Sequence, residues 1–326
     1  MLRKPAARSS TVDYRPFPDM IDDPDGAESP PALAAATAAA AADDFSAAAV
    51  ALASIDNWPD FHFVVWELAS CGEELPLWIQ HWREAEPEGA IVRTLTGAAQ
   101  VHRAWAIRGS GAPESLPDDR SERFRRALKD ADATLRGLLS EHPANASAWA
   151  TLITVALGLD VSTDELNDLF ARSHRRYPLF GSTCRAFHQV LCAKWRGSSE
   201  QAMEFARWVS AHLPDGDPGH SIVASSLAET IAFEADGVDV ARARVELRNV
   251  YDRTRLADPA WQANWRGLAA HNDLAIAAYR LDDKDLARQM LHHIGVNRRR
   301  VVGNWEYLTG EGPGAYLKVG RAVGVW

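Results

Sequence analysis

The apolar residues of this chain recur at helical spacing over most of its length. Ser198 and Gln201 have the spacing of a capping box, in which each side chain satisfies a free backbone donor of the other residue. Behind them, apolar and small residues return every three or four positions, on one helix face; they are Ala202, Phe205, Ala206, Val209 and Leu213. Prolines and glycines separate segments of about 12 to 22 residues, as helix boundaries should. The pattern predicts about fourteen helices between residues 31 and 295.

Other helix ends are predicted from local signals. Thr163 and Asp164 are typical of a helix start, and Pro259 is tolerated in a first helical turn. The Ala-rich stretch 33–55 is predicted to form two helices that break at Asp43–Asp44. We find no convincing run of alternating β-branched residues before residue 300, so the pattern favours an all-α fold.

A spacing of proline, tryptophan and leucine recurs along the chain. A leucine stands nine residues after Pro59, Pro143 and Pro259, and a tryptophan stands six residues after the last two prolines. The residues at these positions are Leu68, Leu152, Leu268, Trp149 and Trp265. Such recurrence is typical of stacked helical hairpins, whose narrow apolar stripes are buried only by neighbouring hairpins. The sequence therefore predicts a solenoid of about seven antiparallel hairpins.

This pattern resembles the tetratricopeptide repeat, which has an early Trp, a Leu followed by Gly or Ala, and a small residue in the partner helix. The best match runs through Pro259, Trp265, Leu268, Ala269 and Ala287. Its stretch from Trp265 to Ala287 is about six residues longer than in the common repeat, nearly two helical turns. The resemblance implies a tetratricopeptide-like α-solenoid with longer hairpins than usual.

A narrower resemblance lies in residues 194–198, with the sequence Lys-Trp-Arg-Gly-Ser, followed by Phe-Ala-Arg at 205–207. It is similar to the K-W-G-G-S…F-A-R signature of an uncharacterised group of bacterial tetratricopeptide-like proteins, with Arg196 in place of a glycine. This resemblance supports the fold and implies no particular activity.

Composition divides the chain into three predicted regions. Residues 1–30 mix Pro, Asp, Ser and Arg without periodicity, which predicts a disordered or loosely docked tail. Residues 31–295 form the predicted α-solenoid. Residues 296–326 are rich in glycine and aromatic residues, a composition that opposes a long helix. We expect this Gly-rich C-terminal extension to be pinned to the last hairpin by its aromatic side chains.

Bulk composition limits the possible partners and compartment. The net charge of −9 and the pI near 5.7 disfavour nucleic acid, because an acidic surface repels phosphates. The three cysteines lack a C-x-x-C pair, so they indicate no disulfide framework and fit a reducing cytoplasm. The polar amino terminus does not fit a secretory signal, and the Ala-rich stretch 30–42 is too short and too weakly apolar for a membrane span.

Two clusters resemble metal sites, and both have a simpler interpretation. Cys184, His188 and Cys192 share one helix face, but the two cysteines are about 12 Å apart along the axis at about 1.5 Å per residue. Zinc holds sulfur at about 2.3 Å, so we predict core positions. The acidic run 282–285 resembles the magnesium clusters of helical terpene cyclases, but it falls at an inter-helix turn, where Asp caps a helix. We predict no metal, cofactor or catalytic residue.

Candidate partner-binding residues come from two places. Asn272 is a polar residue on an apolar helix face, so its amide is either bonded to a neighbouring loop or turned toward a groove. A basic run beside Trp305 would contact an acidic partner, although cations are also stabilised at a helix carboxyl end. The candidate residues are Trp265, His271, Asn272, Asp273, Arg298, Arg299, Arg300 and Trp305.

Three functions compete at this point. The first is a non-enzymatic cytoplasmic scaffold or adaptor that binds a protein or peptide in the concave groove of a helical array, using a few aromatic or Arg anchors. The second is an enzyme or small-ligand-binding protein whose site is closed by the C-terminal extension. The third is a homo-oligomer built through the terminal Ala-rich helices. Nucleic acid and membrane are not expected as partners.

Overall fold

The computed structural model describes residues 29–109, 117–195, 197–234, 237–255, 264–294, 305–312 and 314–326. Within these ranges the chain is helical and contains no β-strand, which confirms the all-α class. None of the helices described there has both the length and the apolar composition that a membrane crossing requires.

The chain divides into two compact units at residue 187, within helix α9 (Gly181–Leu191). We call residues 29–187 the amino-terminal unit and residues 188–326 the carboxy-terminal unit. The first contains α1 (Pro31–Ala41), α2 (Phe45–Ala53), α3 (Trp58–Leu68), α4 (Leu77–Ala85), α5 (Ala90–Arg108), α6 (Asp118–Glu141), α7 (Ala146–Leu159) and α8 (Thr163–Arg176). The second contains α10 (Ser199–His212), a 3-10 segment (Pro218–Ser221), α11 (Ile222–Glu234), α12 (Val240–Thr254), α13 (Trp265–Arg280), α14 (Lys284–Ile294), α15 (Trp305–Thr309) and α16 (Ala315–Val323). The described helices α1 to α14 match the predicted number between residues 31 and 295.

Several helix boundaries follow the local signals. Ser198 Oγ accepts a hydrogen bond from the Gln201 N–H at 3.2 Å and begins α10, as predicted. The break between α1 and α2 falls at Asp43 and Asp44, and the Asp44 carboxylate accepts from the Ala47 N–H at 2.9 Å. Short-range signals therefore located these ends correctly.

The sequence predicts the starts of α8 and α13 at Thr163 and Pro259. The cap of α8 is Ser162, one residue before the predicted Thr163, because the Ser162 hydroxyl accepts a hydrogen bond from the Glu165 N–H. Helix α13 begins at Trp265, and the Asn264 side chain accepts from the Gly267 N–H. The predicted start at Pro259 lies outside the described residues.

In the amino-terminal unit, α3, α5 and α7 pack side by side, each against the next. Helix α3 contacts α5 and α7, α5 contacts α6 and α7, and α7 contacts α8. Gly97 allows α5 and α6 to approach closely, since a Cβ there would lie 2.5 Å from Leu135 Cδ2. This packing places the amino ends of α3, α5 and α7 around one cleft, described below.

In the carboxy-terminal unit, α11 contacts α10 and α13, and α13 contacts α14. The short helix α15 packs on α11 and α13, and α16 packs on α14. The aromatic rings of the last region form a chain, with ring centres 5.2 Å apart between Trp305 and Tyr316 and 5.2 Å apart between Tyr316 and Trp326. Gly320 makes room for the Trp326 indole, which a Cβ at that position would overlap.

Candidate functional site

Asn272 and Trp305, two of the predicted partner-binding residues, meet in the interior of the carboxy-terminal unit. The Trp305 Nε1–H donates to Asn272 Oδ1 at 2.8 Å, and Asn272 Nδ2 donates to the Leu268 carbonyl at 2.8 Å. The Asn272 side chain has no exposed surface, and Trp305 is almost fully buried. These contacts match the structural interpretation of Asn272 and leave its amide no surface for a partner.

The other predicted residues do not form a common surface with this pair. His271 is buried, with its ring stacked 5.1 Å from the ring of His293. Asp273 Oδ2 accepts a hydrogen bond from the Ser221 hydroxyl at 2.9 Å. Trp265 is partly exposed at the first position of α13. Arg298, Arg299 and Arg300 lie outside the described residues.

A buried ion pair lies beside α15, and the spacing argument did not identify it. Lys194 Nζ donates to Glu229 Oε1 at 2.6 Å, with side chains 3% and 5% exposed. The Tyr307 hydroxyl donates to Glu229 Oε2 at 3.4 Å, and Lys194 Nζ lies 4.9 Å from the centre of the Tyr307 ring. Removing two charges from water is costly unless their geometry and remaining hydrogen bonds are satisfied. Here the three groups satisfy one another.

The residues after Trp305 satisfy further buried groups of α13. Arg280 is 1% exposed, and its two terminal nitrogens donate to the carbonyls of Thr309 and Ile231 at 3.2 and 3.0 Å. Burial lowers the pKa of Arg280 from its ordinary value. The Tyr279 hydroxyl donates to the Glu311 carboxylate. The terminal nitrogens of Arg280 and the Tyr279 hydroxyl are therefore bonded to the chain itself.

The predicted core face of α9 is buried as expected, since Cys184, His188 and Cys192 are each at most 2% exposed. Cys192 Sγ lies 4.0 Å from His188 Nδ1. Burial, and to a smaller extent the Glu229 carboxylate, raises the pKa of the Cys192 thiol well above its ordinary value. A protonated thiol is a poor nucleophile. In the part of the chain that the structure describes, no group of three or more His, Cys, Asp or Glu side chains could hold a metal ion.

The amino-terminal unit contains a cleft of about 320 Å³. It is bounded by the carboxyl end of α2, by the α2–α3 connection and by the amino ends of α3, α5 and α7. Its lining residues are Leu52, Ala53, Ile55, Asp56, Asn57, Trp58, Phe61, Ala90, Ile91, Thr94 and Asn145. Most of these side chains are apolar, and the few polar ones come from helix ends. The cleft thus combines an apolar lining with a small number of fixed hydrogen-bonding groups.

Helix capping fixes the aromatic side of the cleft. Asn57 Oδ1 accepts from the Asp60 N–H at 2.9 Å, which starts α3 and places Trp58 in its first turn. The Trp58 ring packs edge-on against Phe61, with centres 5.4 Å apart, and against Tyr177, with centres 5.7 Å apart. Trp58 is only partly buried, so its indole is available to a bound group.

Polar side chains that line the cleft are also held in place by hydrogen bonds within the chain. Asn145 Oδ1 accepts from the Ala148 N–H at 2.9 Å, and Asn145 Nδ2 donates to Thr94 Oγ1 at 2.8 Å. The Thr94 hydroxyl donates in turn to the Ala90 carbonyl at 2.7 Å. The amino end of α5, by contrast, has no side-chain cap. Ala90 and Ile91, in the first turn of this helix, line the cleft, and backbone N–H groups in a first turn have no partner within their own helix.

Behind the cleft, α3 and α7 are joined by a histidine and a serine. His62 Nδ1 lies 2.9 Å from Ser147 Oγ, within hydrogen-bonding distance. Burial, with a smaller effect of His102, lowers the pKa of His62 to about 4, and burial also lowers the pKa of His102 to about 4. Ser147 has no exposed surface. A serine without solvent contact cannot reach a substrate in this conformation, so the pair contributes to packing and not to nucleophilic catalysis.

The sequence did contain signals for the cleft. Asn57 precedes Pro59 and Asn145 follows Pro143, so both prolines of the first two repeat windows stand beside a helix cap. As repeat spacing, the windows at Pro59 and Pro143 predict stacked helical hairpins and give no indication of a cleft. The two caps lie at one cleft because α3 and α7 pack together in the folded chain, and local spacing does not show this.

Comparison of this chain with protein-family models, with curated proteins and with solved structures found no match.

Proposed function

We propose that this protein is a non-enzymatic scaffold or adaptor that binds a segment of another protein, with the cleft of the amino-terminal unit as its principal anchor site. The observation that carries the proposal is the cleft itself. Its volume of about 320 Å³ lies at the lower end of the range for small-molecule sites. That space suits one or two side chains of a peptide, and interface energy is commonly concentrated in a few anchors of this kind.

The hydrogen-bonding groups of the cleft suit an extended backbone. The uncapped N–H groups of Ala90 and Ile91 can donate to peptide carbonyls, while Asp56 can accept from peptide N–H groups. Trp58 and Phe61 provide a rigid aromatic surface for an apolar side chain. Few conformational degrees of freedom are lost on binding when the receiving groups are already fixed.

The finer architecture that we propose is a tetratricopeptide-like array. In such an array the first helices of successive hairpins pack side by side and line the groove. The contacts of α3 with α5, of α5 with α7, and of α5 and α7 with the following helices support this arrangement for the amino-terminal unit. Under this proposal the cleft is part of the groove, because it lies at the amino ends of three such first helices.

The peptide proposal is tested by filling the cleft. Ala53 lines the cleft and Ala47 does not, although both are exposed alanines of α2. Random dodecapeptides are selected on the full chain, and their affinities are measured by fluorescence anisotropy. We expect Ala53→Trp to weaken binding of the selected peptides at least about tenfold and Ala47→Trp to leave it unchanged. Equal affinities for the two variants would contradict the proposed site.

A second function is favoured by one specific observation, the convergence of Lys194, Glu229 and Tyr307 beneath α15. It is an enzyme or small-ligand-binding protein whose site is covered by the carboxy-terminal residues. A thermal-shift screen of small carboxylic acids and amines on the full chain tests it. A ligand that raises the melting temperature of the wild type but not of Tyr307→Ala would support this function, and a screen without such a ligand would count against it.

A further inference from the structure

One stretch of this chain carries a net charge as large as that of the whole molecule. Residues 29–92 contain ten Asp and Glu residues and one arginine, a formal net charge of −9 that equals the charge of the whole chain. The carboxy-terminal unit, by the same count, has seventeen acidic and seventeen basic residues and is neutral. We call residues 29–92 the acidic stretch.

Most of this charge reaches the surface. The exposed members are Asp43, Asp44, Asp56, Glu74, Glu84, Glu86 and Glu88. Cations from outside the stretch offset part of it, since Arg123 lies 2.5 Å from Glu73 and Arg93 lies 3.6 Å from Glu88. A surface of this kind attracts cations and repels anions over about one Debye length, roughly 8 to 10 Å at physiological salt.

The cleft belongs to the same stretch. All of its lining residues except Thr94 and Asn145 fall within 29–92. At its edge, Asn57 Nδ2 lies 3.1 Å from Asp56 Oδ1 and 3.1 Å from Asp60 Oδ2. Two carboxylates therefore flank a single amide beside the aromatic lining. Of the two, Asp56 is exposed and lines the cleft, so its carboxylate lies beside any group bound there.

We infer that the cleft takes a basic segment of a partner protein, in which an apolar side chain is adjacent to Lys or Arg. The apolar side chain packs against Trp58 and Phe61, and the ammonium or guanidinium group pairs with Asp56. This inference rests on the proposed function and specifies its partner. Charge complementarity is the reason for the choice, because opposite potentials accelerate association and exclude partners of like charge.

Other occupants fit the charge less well. Nucleic acid would bring phosphates to a surface of net charge −9. A second copy of this chain, docked through the same stretch, would oppose two such surfaces. An acidic peptide would bring like charge to the exposed Asp56 at the cleft, and a neutral peptide would gain no attraction from it.

The composition of the selected peptides is the first test. Random dodecapeptides are panned on the immobilised full chain, and the enriched sequences are aligned on their apolar anchor. We expect Lys and Arg beside the anchor at least about fivefold more often than Asp and Glu. Enriched neutral or acidic peptides that are still blocked by Ala53→Trp would overturn the basic partner and keep the proposed function. If no peptide is enriched, both fail.

The second test neutralises the charges of the protein and of the peptide in turn, as a double-mutant cycle. Asp56→Asn keeps the shape of the side chain and removes its charge, and Glu84→Gln does the same at an exposed acidic residue of α4 that does not line the cleft. We expect Asp56→Asn to weaken a selected basic peptide about three- to tenfold at 50 mM salt, Glu84→Gln to weaken it less than twofold, and the difference to shrink at 500 mM. A peptide with its Lys and Arg replaced by Gln should not distinguish Asp56→Asn from the wild type. Equal effects of Asp56→Asn on both peptides would overturn the inference.

Discussion

The two units use the same residue types for opposite purposes. Asn57 and Trp58 of the amino-terminal unit lie at the edge of an open cleft, with the asparagine exposed and the tryptophan partly so. Asn272 and Trp305 of the carboxy-terminal unit bind each other in the interior. An asparagine near a tryptophan is therefore not a sign of a binding surface by itself. What distinguishes the pairs is burial, because the first borders a cleft and the second is enclosed by the chain.

In the carboxy-terminal unit, residues 305–311 supply hydrogen-bond partners to several buried side chains. Trp305 donates a hydrogen bond to Asn272, Tyr307 donates one to Glu229, and the Thr309 carbonyl accepts one from Arg280. In the amino-terminal unit, the cleft retains about 320 Å³ of open space, and the stretch 29–92, which supplies most of its lining, has a formal net charge equal to that of the whole chain. The difference is one of enclosure: the polar groups between α13 and α15 are bonded inside the unit, whereas the helix caps Asn57 and Asn145 are bonded beside open space.

The largest expected effect is at the buried ion pair. Lys194→Met leaves Glu229 charged, buried and without its cation, so we expect the free energy of unfolding to fall by about 3–5 kcal/mol in urea denaturation. Arg126→Gln removes the cation of an exposed pair with Glu122 and should cost less than about 1 kcal/mol. A loss below about 1 kcal/mol for Lys194→Met would mean that the pair is not structural, and would favour the enzyme alternative.

A second effect is expected in acid, from the amino-terminal unit. His62 and His102 have folded pKa values of about 4, below the ordinary 6.5. Below pH 6.5 the unfolded chain takes up protons on these rings and the folded chain does not, so stability is lost as pH falls from 6.5 toward 4. At pH 5 the loss is about 1–2 kcal/mol for each ring. Urea midpoints between pH 7.5 and 5 measure it, and His62→Gln should flatten the curve. An unchanged pH dependence in that variant would refute the assignment.

A smaller effect is expected from one indole nitrogen. Trp305→Phe removes the donor to Asn272 Oδ1 and leaves a buried acceptor unsatisfied, at a cost of about 1–3 kcal/mol. The matched change Trp326→Phe removes a bond to the Leu317 carbonyl at a more exposed position. We expect it to cost less than the first, in the same urea assay. The reverse order would show that the Asn272 bond is not what distinguishes the units.

The sequence predicted what depends on neighbours along the chain. The Ser198 cap and the break at Asp43–Asp44 are decided within four residues, and they were found. The cap of α8 was displaced by one residue, because Ser162 and Thr163 are both capping residues and only geometry selects between them.

The candidate site depends on distant residues, and there the prediction was incomplete. Asn272 and Trp305 were each identified as unusual, but nothing in their spacing shows that they bond across 33 positions. The cleft joins Asn57, Thr94 and Asn145, which meet only because α3, α5 and α7 pack in succession. Which helix ends meet is decided by packing between distant helices, such as that of the Leu135 side chain against the Gly97 backbone, and not by periodicity.

The way residues 305–311 are bonded has a practical consequence for dissecting this protein. A shortened chain that stops before Trp305 would remove one hydrogen-bond partner from each of three side chains of α13, those of Asn272, Arg280 and Tyr279. Loss of binding by such a truncated form would report misfolding and not the removal of a contact surface. Single-residue exchanges, each checked for its melting curve, are the sound route to assigning roles at this end of the molecule.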